Sequence, residues 1–361
     1  MTVKTILAEL LALQNSFPKD FPDGIFPSYR YHALVKFYRR ADDNVYFTAF
    51  VLLTLNKLLP YFDRTNKDIA LKIIELGEKG LLNYKNRFGD VTYNFYRSDG
   101  YFPNGFLLSK FKQFQPTDDA DDTAIAYRAK THSKTDARNA KDQLIRLSNC
   151  KRERLLNRGP HIYRNFQAYN TWIGTDTLYV DLDFCVITNV LIFNAKYDLG
   201  MVMEDIESIK YLEKSILNGD YLDKKWGLNA WYPFDAVILY QVSELVETGY
   251  YDLDQSVITK LLKDTERLYA DCENSFAKIL LDIALWRMKS SHKSTLSDAS
   301  IDDSFINSVT KSFSYGVIPL LHRIDGTFLQ KMGNNRFFQL RYECRAQILA
   351  LLLEWKTIKL V

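Results

Sequence analysis

The sequence predicts an all-α fold, an (α/α)6 barrel formed as a single domain over residues 1–361. Three observations predict it. Six apolar segments are hydrophobic nearly all round, the pattern of helices buried on every side. Amphipathic segments, each with one charged face, alternate with them. Strand signals are scarce: TLYVDLDF (177–184) is the best β-like run, and one small hairpin would not change the class.

The chain opens on an amphipathic helix at 3–15. It carries Glu9 and lacks a small-residue cleavage site, so it reads as part of the mature protein and not a signal peptide. Asp42-Asp43-Asn44 then precedes VYFTAFVLLTLNKLL, a polar cluster placed to cap the first inner helix near residue 43. An outer helix at 67–82 follows. The second inner helix starts near 119, with an outer partner at 138–150. Asp181-Leu182-Asp183 opens the third at 181, paired with 203–217. Trp231 to Asp235 opens the fourth near 232, paired with 255–270. Asn274-Ser275 opens the fifth at 275, paired with 303–313, and Arg341-Tyr342-Glu343 opens the sixth. The irregular spacing excludes a solenoid of fixed period. Inner helices of such a barrel all start at one end. Asp42, Asp43, the acids near 120, Asp183, Asp235 and Glu343 should therefore share one mouth.

Two long connections, 83–118 and 151–180, precede inner helices, and long ordered loops in compact domains are usually functional. The first holds Tyr93 to Tyr96 and Tyr101 to Phe106; the second holds His161, Tyr163, Phe166 and Trp172. The Lys- and Arg-rich stretch 128–156 and the Ser- and Asp-rich stretch 289–304 read as exposed linkers.

Composition narrows the class. A chain 47% hydrophobic and 14% aromatic can bury a large core. A net charge of +3, with both signs interspersed, argues against a nucleic-acid partner. No run is long and apolar enough for a membrane span. Cys150, Cys185, Cys272 and Cys344 are far apart and read as free thiols. A soluble cytoplasmic protein is expected. There is no P-loop, GxGxxG, GxSxG or HxxxH pattern.

The functional signal is concentrated in PTDDADDTAIAYR (116–128), where Asp118, Asp119, Asp121 and Asp122 crowd the start of an apolar helix. Like charges that close cost free energy. The plain reading is an over-charged cap on a non-catalytic scaffold. Asp119-Ala120-Asp121-Asp122-Thr123-Ala124, however, resembles the DxDD motif of class II terpene cyclases, the squalene–hopene and copalyl diphosphate synthase group. The resemblance implies a terpenoid cyclase-like barrel and an isoprenoid substrate, a prenyl diphosphate included. It implies Asp121 as the general acid that protonates an alkene or epoxide, with Asp119 and Asp122 holding its proton in place. An alkene is a very weak base, so its acid must be desolvated and kept neutral beside carboxylates that cannot all ionise.

Val186-Ile187-Thr188-Asn189-Val190-Leu191 is similar to a later barrel-helix stretch of bacterial members, and Tyr169 to Trp172 to the loop before it. The QxxxGxW repeats of squalene cyclases are absent. The chain is long enough for one barrel, where class II cyclases usually place the site between two. Either the mouth alone encloses the substrate, or a homodimer or partner domain closes it.

Asp42, Asp43, Tyr46, Tyr93, Phe95, Trp172, Asn189, Tyr232 and Asp235 are the candidate substrate-binding residues, with Phe47, Tyr96 and Phe234 as further aromatics. Aromatic faces stabilise carbocations, although any one ring is equally ordinary core. No metal ligand set and no cofactor is required for this chemistry; magnesium is admissible on a diphosphate. Arg39 and Arg40 are placed to neutralise Asp42 and Asp43, and with Arg97, Arg128 and Arg164 are the cations available to a diphosphate tail. Two other enzymes fit the acids. Asp118, Asp119 and Asp122 read as DDxxD, the magnesium motif of class I terpene synthases. Glu204-Asp205-Ile206-Glu207-Ser208 with Glu213 is then an imperfect second motif. An inverting glycan hydrolase would pair Asp42 or Asp43 with Asp121 across the mouth.

Overall fold

The computed structural model describes residues 1–16, 19–32, 34–35, 37–86, 91–99, 111, 117–149, 156–157, 161–173, 179–297, 301–319, 328, 332 and 335–359. They are predominantly helical. In chain order the helices are α1 (Val3–Gln14), α2 (Val45–Leu58), α3 (Arg64–Leu81), α4 (Ala120–Ala129), α5 (Lys134–Arg146), α6 (Phe184–Lys196) and α7 (Met203–Leu217). Two single turns follow, α8 (Asp220–Asp223) and α9 (Lys225–Leu228). Then come α10 (Asp235–Thr248), α11 (Gln255–Asp271), α12 (Ser275–Arg287), α13 (Asp303–Ser312) and α14 (Arg345–Ile358).

The six apolar segments are α2, α4, α6, α10, α12 and α14. Residues on every face of α4 and α6 are buried: α6 is apolar along most of its length, and α4 buries Asp121, Asp122 and Arg128 among its apolar and small side chains. They pack in cyclic order: α2 on α4, α4 on α6, α6 on α10, α10 on α12, α12 on α14, and α14 back on α2. The amphipathic helices lie against this set by one face. α11 buries Val257, Leu261, Thr265 and Tyr269 and packs on α12, α10 and α7; α3 packs on α2 and α1. Asn44, Asp119, Asp183 and Asn274 each accept a first-turn backbone N–H of α2, α4, α6 and α12. Part of each polar cluster is therefore ordinary N-capping.

Strand content departs from the prediction. The strands are β1 (Tyr29–His32), β2 (Arg39–Ala41), β3 (Asp118–Asp119), β4 (Leu156–Asn157), β5 (Trp172–Ile173), β6 (Tyr179–Val180), β7 (Val317–Pro319) and β8 (Gln339–Glu343). β2-β1-β8-β7 form an antiparallel sheet, with Tyr29 opposite Glu343 and Val317 opposite Arg341. Runs this short carry no readable alternation, and the β1–β8 pairing joins segments about three hundred positions apart. β2 runs towards α2 and β8 towards α14, so the sheet sits at the starts of the apolar helices. β3 pairs with β5, Asp119 opposite Trp172, which ties the acidic stretch to the second long connection. β6 falls in the TLYV run and pairs with β4.

The basic stretch expected as a linker carries α5, which buries Ala137, Ala140 and Leu144 and pairs Lys141 with Asp205 at 2.6 Å. Cys185 and Cys344 are buried free thiols and Cys272 is a half-buried one; Cys150 lies outside the described residues. No described helix is long and apolar enough to cross a membrane.

Candidate active site

α4 begins directly after β3, with Asp119 as its N-cap: Asp119 Oδ1 accepts the Asp122 amide at 2.7 Å. Asp121 and Asp122 follow in the first turn, buried like the rest of the helix. A helix N-terminus favours the anion, while burial favours the neutral acid. The three carboxyls face a cavity of about 240 Å³. Tyr46, Phe95, Trp172 and Tyr232, all expected from the sequence, line it, as do Phe47 and Tyr96. Trp172 meets Trp231 edge-on at 5.5 Å, and Tyr46 lies 5.8 Å from Tyr232 and 6.1 Å from Tyr315. None of the described lining residues is basic.

The two acids of the first turn are held differently. Asp121 Oδ1 accepts from Asn189 Nδ2 at 2.6 Å, and Oδ2 accepts the Tyr232 hydroxyl. Behind Asn189, Arg128 donates to its amide oxygen and pairs with Glu244 at 2.6 Å. Burial pushes Asp121 up; the Tyr232 and Asn189 hydrogen bonds and the Arg128 charge oppose it. Asp122 has no such support. It is 1% exposed, and no described N–H or O–H donates to either of its oxygens. Its carboxyl faces that of Asp119. Burial, and then the Asp119 charge, push Asp122 well above the ordinary carboxylate range. Asp119 itself rises to about 7, chiefly by burial. Two buried carboxylates side by side cannot both ionise readily, so burial and mutual repulsion raise both.

Other expected residues stand elsewhere. Asp42 is fully buried 3.4 Å from Arg30, and Asp43 accepts the Tyr84 hydroxyl and pairs with Arg97 at 2.7 Å. Burial lifts Asp43 to about 6. Neither lines the cavity, so neither pairs with Asp121 across it. The cations that neutralise them are thus Arg30 and Arg97; Arg39 binds Glu343 at 2.9 Å, and Arg40 lies over Tyr38. Tyr93 is buried edge-on against Tyr127 and His132. Asp235 pairs with Lys225 at 2.5 Å, and Phe234 sits under Arg341. Asn189 reaches the site only through Asp121.

Asp118 accepts from Asn86 at 2.6 Å, from Thr92, and from Asn94 at 3.2 Å, and it does not line the cavity with Asp119 and Asp122. Among the described residues no three His, Cys, Asp or Glu side chains converge to hold a metal ion. Glu204 to Glu213 lie on the outer helix α7, where Asp205 binds Lys141 and Tyr169. His161 is exposed beside Arg164. Tyr101 to Phe106 lie outside the described residues.

Trp231, Tyr315, Gly316 and Val317 also line the cavity, and the sequence reading did not select them. The signal at Tyr315 was local and weak: an aromatic before a glycine. A Cβ on Gly316 would come 3.1 Å from the Trp231 carbonyl, which accepts the Val317 amide at 2.9 Å. Asp183 sets the other side of this wall, since its carboxylate accepts the Trp231 amide at 3.3 Å.

A buried carboxyl kept neutral beside a cavity walled largely by aromatic faces is equipped for Brønsted acid chemistry on a weak base, and for holding positive charge in the product. No protein-family model and no curated protein matches the chain. Among solved structures it is similar to the apo structure of type II terpene cyclase MstE from Scytonema, with a TM-score of 0.49 and 10% identity over 99% of this chain and 96% of that one.

Proposed function

We propose that the chain is a single (α/α)6 barrel whose mouth catalyses protonation-initiated cyclisation of an isoprenoid. The cyclic packing of six buried helices, with amphipathic helices outside them, supports the barrel. One observation carries the function: Asp119, Asp121 and Asp122, from one helical turn, line a cavity walled by aromatic side chains. The acid transfers its proton to a terminal alkene carbon or an epoxide oxygen. The resulting cation closes rings beneath the aromatic faces and ends by losing a proton, so an alkene substrate gives an isomer. The apolar tail occupies the cavity, whose described walls offer no cation to a diphosphate. The metal-dependent alternative needs Asp118 beside Asp119 and Asp122, whereas Asp118 is outside the cavity lining and accepts from three donors.

Incubation with farnesyl and geranylgeranyl diphosphates, and with the corresponding alcohols and terminal epoxides, tests this. The expected product of a diphosphate or an alcohol is isomeric with its substrate, with any diphosphate retained and turnover unchanged by chelator. Released diphosphate with chelator-abolished turnover would instead establish the magnesium chemistry. Cleavage of an oligosaccharide panel would establish the hydrolase.

A further inference from the structure

We propose that Arg128 is a positioning residue of the reaction: acting through Asn189, it decides which oxygen of Asp121 carries the proton, and that oxygen is Oδ2, beside Tyr232. The proposal rests on the cyclase reading above for the use made of that proton. Asp121 and Arg128 stand two turns apart on one face of α4, and Asn189 of α6 fits between them. An unconstrained asparagine could present either end of its amide. A guanidinium has donors only, so the Asn189 oxygen turns to Arg128 and Nδ2 turns to Asp121. Arg128 is almost fully buried and pairs with Glu244 at 2.6 Å, so the guanidinium is itself fixed from behind. Asp121 Oδ1 therefore always receives an N–H. The carbonyl oxygen of an acid is a better acceptor than its hydroxyl oxygen, so neutral Asp121 keeps Oδ1 as its carbonyl and holds its proton on Oδ2. The Tyr232 hydroxyl there serves either state, as donor to the anion or acceptor from the acid, and it also hydrogen-bonds the Tyr46 hydroxyl.

The step balances without another reagent. The Asp121 Oδ2–H bond breaks as the alkene π pair forms a C–H bond, which leaves a carbocation and the Asp121 carboxylate. Each carboxylate oxygen then meets a donor, Oδ1 the Asn189 amide and Oδ2 the Tyr232 hydroxyl. The Arg128 charge favours the same anion, so the group that orients the proton also stabilises what its departure leaves. Loss of a proton from a carbon next to the final cation restores an alkene and balances the proton supplied.

Infrared difference spectroscopy of the full chain, titrated from pH 9 to pH 4 without substrate, reads the carbonyl band of protonated Asp121, identified by its loss in Asp121→Asn. Arg128→Gln can accept as well as donate, which frees the Asn189 amide to turn, so the band should move to higher frequency or split in two. Arg128→Lys keeps a cation with donors only and should restore the wild-type band. Glu244→Gln breaks the ion pair but leaves the guanidinium on Asn189, and the band should stay in place; an equal shift there would make Arg128 a packing strut and overturn the inference. With a substrate from the panel above, Arg128→Gln should lower kcat by roughly 10–100-fold, as when a group that orients an active one is removed, with KM little changed. Asn189→Leu removes the same donor and should reproduce the shift, so that a misfolded glutamine variant does not decide the matter. A band unmoved in Arg128→Gln or in Asn189→Leu, or absent from the wild type at every pH, overturns the inference and leaves the cyclase reading standing. A wild-type chain that turns over no isoprenoid while the bands behave as expected overturns that reading, and the use of the proton with it, but not the proton's placement.

Discussion

Tyr232 works on Asp121 from both sides of its chemistry. The ring walls the cavity, and the hydroxyl donates to Oδ2. Tyr232→Phe keeps the ring and removes the donor, so the Asp121 carboxyl should bind its proton more tightly in the folded state. A carboxyl whose folded pKa is raised contributes stability when protonated and loses it as pH rises through that pKa. The deficit of Tyr232→Phe against wild type should therefore grow from pH 5 to pH 8, reaching about 1–3 kcal/mol, the cost of a buried acceptor left without its donor. Urea denaturation at the two pH values measures it. An equal deficit at both would mean that the hydroxyl only packs.

At the scale of elements, the start of α6 governs the wall opposite the acids. Asp183 caps that helix through the amides of Cys185 and Val186, and the same carboxylate holds the Trp231 amide. Burial, followed by the nearby Asp181, raises its carboxyl from 3.8 to about 8. The sign follows from the raised value: its contribution is full below about pH 4 and is lost as pH climbs towards 8. Asp183→Asn keeps an oxygen for the two helical amides and removes the titration. It should flatten the fall in melting temperature between pH 4 and 8, and a scan across that range at constant ionic strength checks it. A slope unchanged from wild type would place the titration elsewhere in the mouth.

At the scale of the whole molecule, a charge network that begins behind Asp121, at Arg128, ties the ring together. Arg287 of α12 binds Glu354 of α14 at 2.6 Å, both almost fully buried, and Lys57 of α2 bridges Glu354 and Glu247 of α10. Glu244, also of α10, receives Arg128 of α4. Burial works against the Glu244 charge, yet Arg128, Arg287 and Lys57 pull its carboxyl down to about 2. Its contribution is thus present above the unfolded value near 4.5 and is lost as pH falls towards 2. Glu354→Gln leaves Arg287 buried without its closest anion. It should cost about 3–5 kcal/mol at pH 7, as when one partner of a buried pair is removed. Chemical denaturation reads the loss, and one below about 1 kcal/mol would mean that Glu247 and Glu244 suffice to hold Arg287.

What the sequence determined alone is what neighbours in the chain decide. An apolar side chain at most positions made α2 and α6 readable as buried helices, and the crowding of Asp119, Asp121 and Asp122 marked the start of α4 as costly unless used. Tyr46 and Tyr232 were found because they stand beside helix starts, and Phe95 and Trp172 because they lie in the two long connections. Tertiary structure decided which charges meet. Asp42 took Arg30 and not the adjacent Arg40, because β1 pairs antiparallel with β2 and brings a residue from another strand across. The sheet of β1 and β8, the inward position of Tyr315, and the turning of Asp118 towards Asn86 and Thr92 likewise depend on contacts distant in sequence. So does the different support of Asp121 and Asp122. Adjacent residues on a helix point about 100° apart, so one met Asn189 and Tyr232 while the other met only a second carboxyl.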